Sequence, residues 1–354
     1  MASFDEVMAK INKDFKAKIV SQGLVYEKQQ LIPFSSPRAN YMTYGGVPRR
    51  GMVEFFGEEH GGKTTSALDL CANAQKIFKK ENPENPLKVV FVDAEWTLDS
   101  VWASKLGVDL DSLYIVRPEN QSAEQVLQMM YELCRSGEVG LMVLDSIPKL
   151  VSRQAMDKSI EEKTYAGNSV AITTFVNKFD TLPAACRPCL VMINQLRDNL
   201  GDDWKPTKTP GGRAARHEYK MRIQFSKGPY IDDAGYEQKS GCENPQGNIV
   251  RMRLEKNKVT PSDRRVGFYT LKYRTGIYVM KDLIDTAKEL GYIQQSGSWY
   301  ALIDPETQEW EKDAEDNPIR YQGIWKFYDF FWNHEDWFNY LNDTVLEKLS
   351  EVKQ

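Results

Sequence analysis

The 354-residue sequence is short of cysteine, with five, and shorter still of histidine, with three. The cysteines (Cys71, Cys134, Cys186, Cys189 and Cys242) are too few and too scattered for a disulfide framework. Only Cys186-Arg-Pro-Cys189 has the spacing of a redox or metal pair. No second pair accompanies it, and His60, His217 and His334 lie far away in sequence, so both thiols read as structural. Long apolar runs are missing as well: none approaches the ~20 residues of a membrane span. Asp5 and Glu6 stand where a secretory leader carries basic and then apolar residues. The expectation is a cytoplasmic protein with no membrane partner. Repeats and low-complexity tracts are absent too. A dominant charge is also lacking, with 46 basic and 50 acidic residues and a net of −4. That average hides an asymmetry. Residues 304–354 hold 13 acidic against 5 basic side chains, which leaves residues 1–303 at +4. A polyanionic partner is therefore not excluded, because only local charge matters at a groove.

What is present suggests two domains, or three if one is small, with enough chain to bury a core unaided. Phe4, Val7, Met8, Ile11, Phe15 and Ile19 recur at spacings of three and four, which predicts a helix over 3–19. It could dock on its own domain or on a neighbouring subunit. Residues 35–51, rich in Ser, Pro, Gly and Arg, read as a connector. Short apolar strands then follow at 52–56, 88–93, 113–116, 140–145 and 189–193. Helical stretches at 63–80, 99–106 and 121–136 separate the first four, and another is expected near 167–181. This alternation indicates a parallel sheet covered on both faces. The strands expected at 220–227, 248–256 and 264–273 alternate and should add antiparallel edges, with a hairpin tip at 228–247. A helix at 280–290 opens the last segment, and the boundary falls near Thr275–Gly276. Residues 321–340 carry ten aromatics, with Trp325, Tyr328 and Trp332 on one helical face and Trp337 and Tyr340 on the next. They read as the core of a small domain.

Gly57-Glu-Glu-His-Gly61-Gly62-Lys63-Thr64-Thr65 matches G-x-x-x-x-G-K-[ST] between a strand and a helix, the context that this motif needs. Glycines let backbone N–H groups curl around phosphate oxygens, and the helix N-terminus adds partial positive charge. Lys63 is placed to reach the β- and γ-phosphates, and the Thr64 hydroxyl to ligate Mg²⁺. The buried run Leu141–Asp145 ends in a carboxylate suited to the metal shell. Hydrolysis also needs a base aimed at water. Glu95 ends the strand after the phosphate loop, and Asp93 competes with it on spacing alone.

The loop after Gln195 runs to Gly211–Gly212, a length that is usually functional or disordered. It carries Arg197, Lys205 and Lys208, continues to Arg213 and Arg216, and has one aromatic, Trp204. Stacking plus cations is what single-stranded DNA binding requires. Asp198, Asp202 and Asp203 weaken that case, and an ordinary surface loop with Trp204 packed on the domain fits the same residues.

Over about 45–303 these motifs, in this order, resemble the RecA family of DNA strand-exchange ATPases. The resemblance rests on MVEFFGEEHGGKTTSALDLCANAQ, FVDAEWTLDSVWASKLGVD, LMVLDS, MINQLRDNLG with PGGR, LEKNK and IDTAKELGYIQQSGSWYALI. Glu59 and His60 are unusual in the phosphate loop. The resemblance implies water activation by Glu95 and places Asp99 and Trp102 near the adenine. It makes Gln195 a γ-phosphate sensor, and it puts Arg197, Leu200, Gly201, Trp204, Gly211, Gly212 and Arg213 in the second DNA loop. Lys256 and Lys258 would reach ATP across a subunit interface. The first DNA loop should lie near 154–168, departs from the bacterial pattern, and includes Tyr165. The aromatic C-terminus is similar to bacteriophage recombinases of the UvsX type.

The implied fold is α/β: a RecA-like phosphate-loop ATPase core with a mainly parallel twisted sheet, an N-terminal helix and a small C-terminal α/β domain. The implied division is 1–34 (oligomerisation helix and linker), 35–275 (ATPase core) and 276–354. The implied activity is ATP- and Mg²⁺-dependent strand exchange by helical filaments on single-stranded DNA, in homologous recombination, repair and recombination-dependent replication. Partners would be homologous duplex DNA and phage mediator and single-strand-binding proteins. A ring-forming helicase and an ATP-binding scaffold are the competing readings.

Overall fold

The structure, a computed structural model, describes residues 2–15, 30–159, 168–198, 207–238 and 242–351. The chain divides into two units, Met1–Gln30 and Leu31–Gln354. In the first, helix α1 (Phe4–Asp14) starts with a capping box. Ser3 Oγ accepts from the Glu6 amide at 3.2 Å, and the Glu6 carboxylate accepts from the Ser3 amide at 2.9 Å. None of its residues is buried, and Phe4 is 77% exposed. The expected extension over 16–19 lies outside the described residues.

The second unit is built on a nine-stranded sheet. Its strands in chain order are β1 (Gly51–Gly57), β2 (Lys88–Asp93), β3 (Leu113–Val116), β4 (Val139–Asp145), β5 (Cys189–Gln195), β6 (Met221–Ile231), β7 (Gly247–Asn257), β8 (Val266–Lys272) and β9 (Gly276–Ile277). Their spatial order is β9-β8-β7-β6-β1-β5-β4-β2-β3. From β6 through β1, β5, β4 and β2 to β3 every pairing is parallel; β7, β8 and β9 add antiparallel pairs. The strand expected at 220–227 is therefore not part of an antiparallel edge where it meets the core. Met221–Phe225 lies parallel to Val53–Gly57, because helix α7 (Gly212–Glu218) returns the chain from β5 as a crossover does. The expected tip at 228–247 is also shorter, since β6 runs to Ile231 and pairs with Gly247.

The central strands are buried along their whole length, as continuous apolar runs between two helical layers must be. Side chains alternate between two cores. Val53 and Phe55 of β1 join the side covered by α2 (Pro37–Thr43) and α3 (Lys63–Glu81). Met52 and Leu190 join the side covered by α5 (Ala123–Arg135) and α6 (Ser169–Asp180). Cys189 sits fully buried in β5, its thiol pushed up to about 12 by burial, as expected of a structural cysteine.

A third core lies towards the C-terminus, among α8 (Val279–Glu289), α9 (Ile324–Asn333), α10 (Glu335–Ser350) and a three-stranded antiparallel sheet formed by Ile293–Ser296, Trp299–Leu302 and Arg320–Gln322. The aromatic stripe is rotated from the expected one. Phe327, Tyr328, Phe330 and Phe331 are buried, whereas Trp325 and Trp332 flank Tyr328 about half exposed. A buried polar seam ties this core to the sheet. Asp282 of α8 accepts from Ser36 Oγ at 2.8 Å, from Thr270 Oγ1 at 2.7 Å and from the Thr270 amide at 3.0 Å. Beside it, Asp69 of α3 accepts from the Ser35 amide at 2.9 Å. Burial pushes both carboxyls up to about 6. No helix among the described residues is long and apolar enough to cross a membrane.

Candidate functional site

The C-terminal ends of β1, β5, β4 and β2 converge where the ligand crevice of an open parallel sheet lies. Beyond β1 the chain turns through Gly57–Gly62 into α3. Gly57 has φ 151° and lies so close to β6 that a Cβ there would sit 2.0 Å from the Phe225 carbonyl oxygen. Gly62, at φ 95°, caps α3; a Cβ would press on Val250 and the Tyr269 hydroxyl. Tyr269 OH pairs with Ser66 Oγ at 2.8 Å and donates to the Gly62 carbonyl at 3.3 Å, so β8 braces the loop–helix junction.

Lys63 is nearly buried and donates to the carbonyls of Gly57 at 3.2 Å and Glu58 at 2.5 Å. Burial holds its ammonium below the ordinary lysine range, while Asp145 and Glu95 oppose the shift. Thr64 Oγ1 donates to Asp145 Oδ2 at 2.6 Å. Burial pushes the Asp145 carboxyl up to about 6; the Thr64 hydrogen bond opposes this, and Glu95 and Asp93 reinforce it. Amides of Ala94 and Glu95 donate to the Asp145 carbonyl at 2.8 and 3.2 Å, and Ser146 Oγ donates to Glu95 Oε1 at 2.5 Å. Glu95 is thereby fixed beside the end of β4. Asp93, the competing carboxylate, is spent elsewhere. It is buried, accepts from the amides of Thr97 and Leu98, and pairs with Arg117 at 3.3 Å.

A hydroxyl and a carboxylate are hard oxygen donors of the kind Mg²⁺ takes when phosphates supply further ligands. Among the described residues no group of three His, Cys, Asp or Glu side chains could cage a metal alone. The donor set thus fits a metal that arrives with a nucleotide, held by Thr64 and Asp145. A cavity of about 600 Å³ opens beside the loop, lined by His60–Thr65 on one side and by Lys227, Tyr230, Asn248 and Tyr273 among others on the other. Sequence reasoning missed this second wall, which comes from distant strands and carries no local motif. The lining does not include Asp99 or Trp102. Asp99 is the exposed N-cap of helix α4 (Ser100–Lys105), and Trp102 is half-buried against the core.

Gln195 ends β5 directly opposite Gly57, and the Leu196 amide reaches the Gly57 carbonyl at 3.4 Å. The following loop, expected to lack structure, begins and ends as a two-stranded ribbon, with Arg197 opposite Lys208 and Asp198 opposite Thr207. Arg197 is exposed; Gly211 and Gly212 open α7 with positive φ, and Arg213 lies in its first turn. Leu200, Gly201 and Trp204, and Tyr165 of the first loop, lie outside the described residues. Lys256 and Lys258, at and just beyond the end of β7, turn to the last carbonyls of α7. Lys256 Nζ donates to Arg216 at 2.6 Å and to His217 at 2.7 Å, and Lys258 Nζ to His217 at 2.7 Å. Burial, then the charge of Lys258, lowers the Lys256 ammonium to about 8.

Loop, helix, hydroxyl and carboxylate in this arrangement define a phosphate-loop protein of the mainly parallel α/β class. The family model for the RecA N-terminal domain matches residues 2–278. The chain is 33% identical over 305 residues to the Protein RecA of Aquifex pyrophilus, covering 85% of this chain and 82% of that one. It is 31% identical over 308 residues to that of Bacteroides thetaiotaomicron, covering 86% and 88%. It is 32% identical over 261 residues to that of Ruminococcus albus, spanning 73% of this chain but 61%, less than two thirds, of the relative. The chain belongs to the RecA family, the strand-exchange recombinases of homologous recombination and repair.

Proposed function

We propose that this chain is an ATP- and Mg²⁺-dependent recombinase that assembles head-to-tail on single-stranded DNA and pairs it with homologous duplex. The observation that carries this reading is the pairing of Gln195 with Gly57. The first residue of the phosphate loop and the last residue before the second long loop are neighbours in one sheet, so a nucleotide at the first is felt at the second.

In this reading Lys63 leaves its two carbonyl partners for the β- and γ-phosphate oxygens. Thr64 and Asp145 hold Mg²⁺, which neutralises charge on the triphosphate when bound. Glu95, steadied by Ser146, orients and deprotonates the attacking water. Gln195 senses the γ-phosphate and hands its position to Arg197 and the loop that includes Leu200, Gly201 and Trp204. Gly211, Gly212 and Arg213 form the return limb of that DNA contact. Tyr165 adds a contact from the first loop, and Asp99 and Trp102 stand on the adenine side. Lys256 and Lys258 serve the ATP of the adjacent subunit. Cations supplied in this way can raise turnover on the order of 10³–10⁵-fold.

Head-to-tail contacts that do not close give a filament rather than a ring. The well-capped α1, with no buried residue, supports its use as a docking helix on the next subunit within 1–34, with 35–275 as the ATPase core and 276–354 as the small terminal domain. The aromatic end of that domain supports kinship with the UvsX-type phage recombinases. Mediator and single-strand-binding proteins would be its partners in a host cytoplasm. ATP turnover with and without single-stranded DNA, imaged by negative stain, tests the reading. DNA-stimulated turnover with helical filaments is expected. Closed rings, or turnover indifferent to DNA, would overturn it.

A further inference from the structure

Beneath the ATP site lies a buried polar cluster that the chemistry above does not use. Glu54 stands in the middle of β1, fully buried between apolar neighbours. A carboxylate there is costly unless it is paired and hydrogen-bonded. It accepts from Arg222 Nε at 2.5 Å and from Asn194 Nδ2 at 2.8 Å. Asn194 is also fully buried. Its Nδ2 donates to the Pro210 carbonyl at 2.9 Å, and its Oδ1 accepts the Gln195 amide at 3.0 Å. Arg222 extends the cluster to Thr209 Oγ1 at 3.3 Å, and Arg216 donates to the Thr209 carbonyl at 2.7 Å.

One side chain therefore grips both ends of the long loop: Gln195, where the chain leaves the sheet, and Pro210, where it returns. The same cluster continues through Arg216 to α7, whose last carbonyls hold Lys256 and Lys258. Without this bridge, a shift of Gln195 could be absorbed at the start of the loop.

We infer that Asn194, anchored by Glu54, is a positioning residue that locks the departing and returning limbs of the loop together, so that the nucleotide state at Gln195 is delivered to both. This rests on the reading that the loop binds single-stranded DNA. A merely structural cluster would contribute to stability and nothing else; a coupling device must also set how strongly ATP and DNA favour each other. That coupling is reciprocal, typically about 5–150-fold.

The test measures the affinity of the full chain for a fluorescent single-stranded oligonucleotide by anisotropy, with and without a non-hydrolysable ATP analogue. Nucleotide affinity without DNA and the melting temperature are measured alongside. In the wild type the analogue should tighten DNA binding about tenfold or more. In Asn194→Ala that ratio should fall to within about twofold of unity, while nucleotide affinity without DNA changes less than about twofold. Should Asn194→Ala melt before titration, Thr209→Val decides. It removes one hydroxyl acceptor at the far side of the cluster and should lower the ratio in the same direction. A wild-type ratio in a folded Asn194→Ala, or in Thr209→Val where that variant decides, overturns the inference. A wild type whose DNA affinity ignores the analogue would instead sink the DNA-loop reading on which it rests.

Discussion

The two cationic parts of this molecule are built in opposite ways. Around the phosphate loop, each group is held by its neighbours. Thr64 is bonded to Asp145, Glu95 to Ser146 and to the Asp145 backbone, and Lys63 to the loop that surrounds it. Lys256 and Lys258 also donate to main-chain carbonyls, at the end of α7, but among the described residues no hydrogen bond joins them to these groups. The groups of the first region are held together within one chain. Like Lys63, the second region presents ammonium groups on neutral carbonyls that an anionic phosphate would outcompete, but they stand away from the phosphate-loop network. In the proposed reading, that difference would assign nucleotide binding to the subunit and rapid turnover to the assembly.

Five substitutions and one pH profile sharpen or break that contrast. Lys63→Ala should have the largest effect, abolishing nucleotide binding by fluorescence titration and with it all turnover. Lys256→Ala should retain nucleotide binding and melting temperature but lose DNA-dependent ATPase by about 10³-fold. If the isolated subunit bound nucleotide tenfold more weakly in this variant, the division between regions would fail. Glu95→Gln should bind ATP and DNA normally and slow hydrolysis by about 10²-fold in single-turnover kinetics. Protonated Lys256 is the useful form, and its ammonium is held down to about 8. Turnover on DNA should therefore decline as pH rises through about 8, and Lys256→Arg, which stays charged, should move that decline upward. Tyr269→Phe should have the smallest effect. It removes the hydroxyl that braces Gly62 and Ser66, and should cost about 1 kcal/mol in thermal unfolding and a few-fold in nucleotide affinity.

The same contrast explains what could be read in advance. The phosphate loop and the Leu141–Asp145 strand were legible because each is a contiguous stretch whose local pattern carries its own structure, whereas spacing alone left Glu95 level with Asp93 and only the family resemblance favoured it. The parallel strands were legible as continuous apolar runs. The pairing of β6 was not, because alternation in Met221–Ile231 reports which faces are wet and not which strand lies alongside. The second wall of the cavity, Lys227, Tyr230, Asn248 and Tyr273, has no motif and is assembled only when β6, β7 and β8 pair. Glu54 did leave a signal, a lone charge within the apolar run MVEFF, but its partners Asn194 and Arg222 stand 140 and 168 residues away. The aromatic stripe of α9 was found with its phase shifted, because Phe327, Phe330 and Phe331 outcompete the larger tryptophans for the enclosed face.

The most direct measurement mixes the two disabled proteins. Lys63→Ala and Lys256→Ala should each be inactive alone on single-stranded DNA. Together they form interfaces in which an intact phosphate loop from one subunit meets intact lysines from the next. DNA-dependent ATP hydrolysis that returns on mixing is the predicted result. A mixture as inactive as its components, on filaments shown to contain both, would contradict a site shared between subunits.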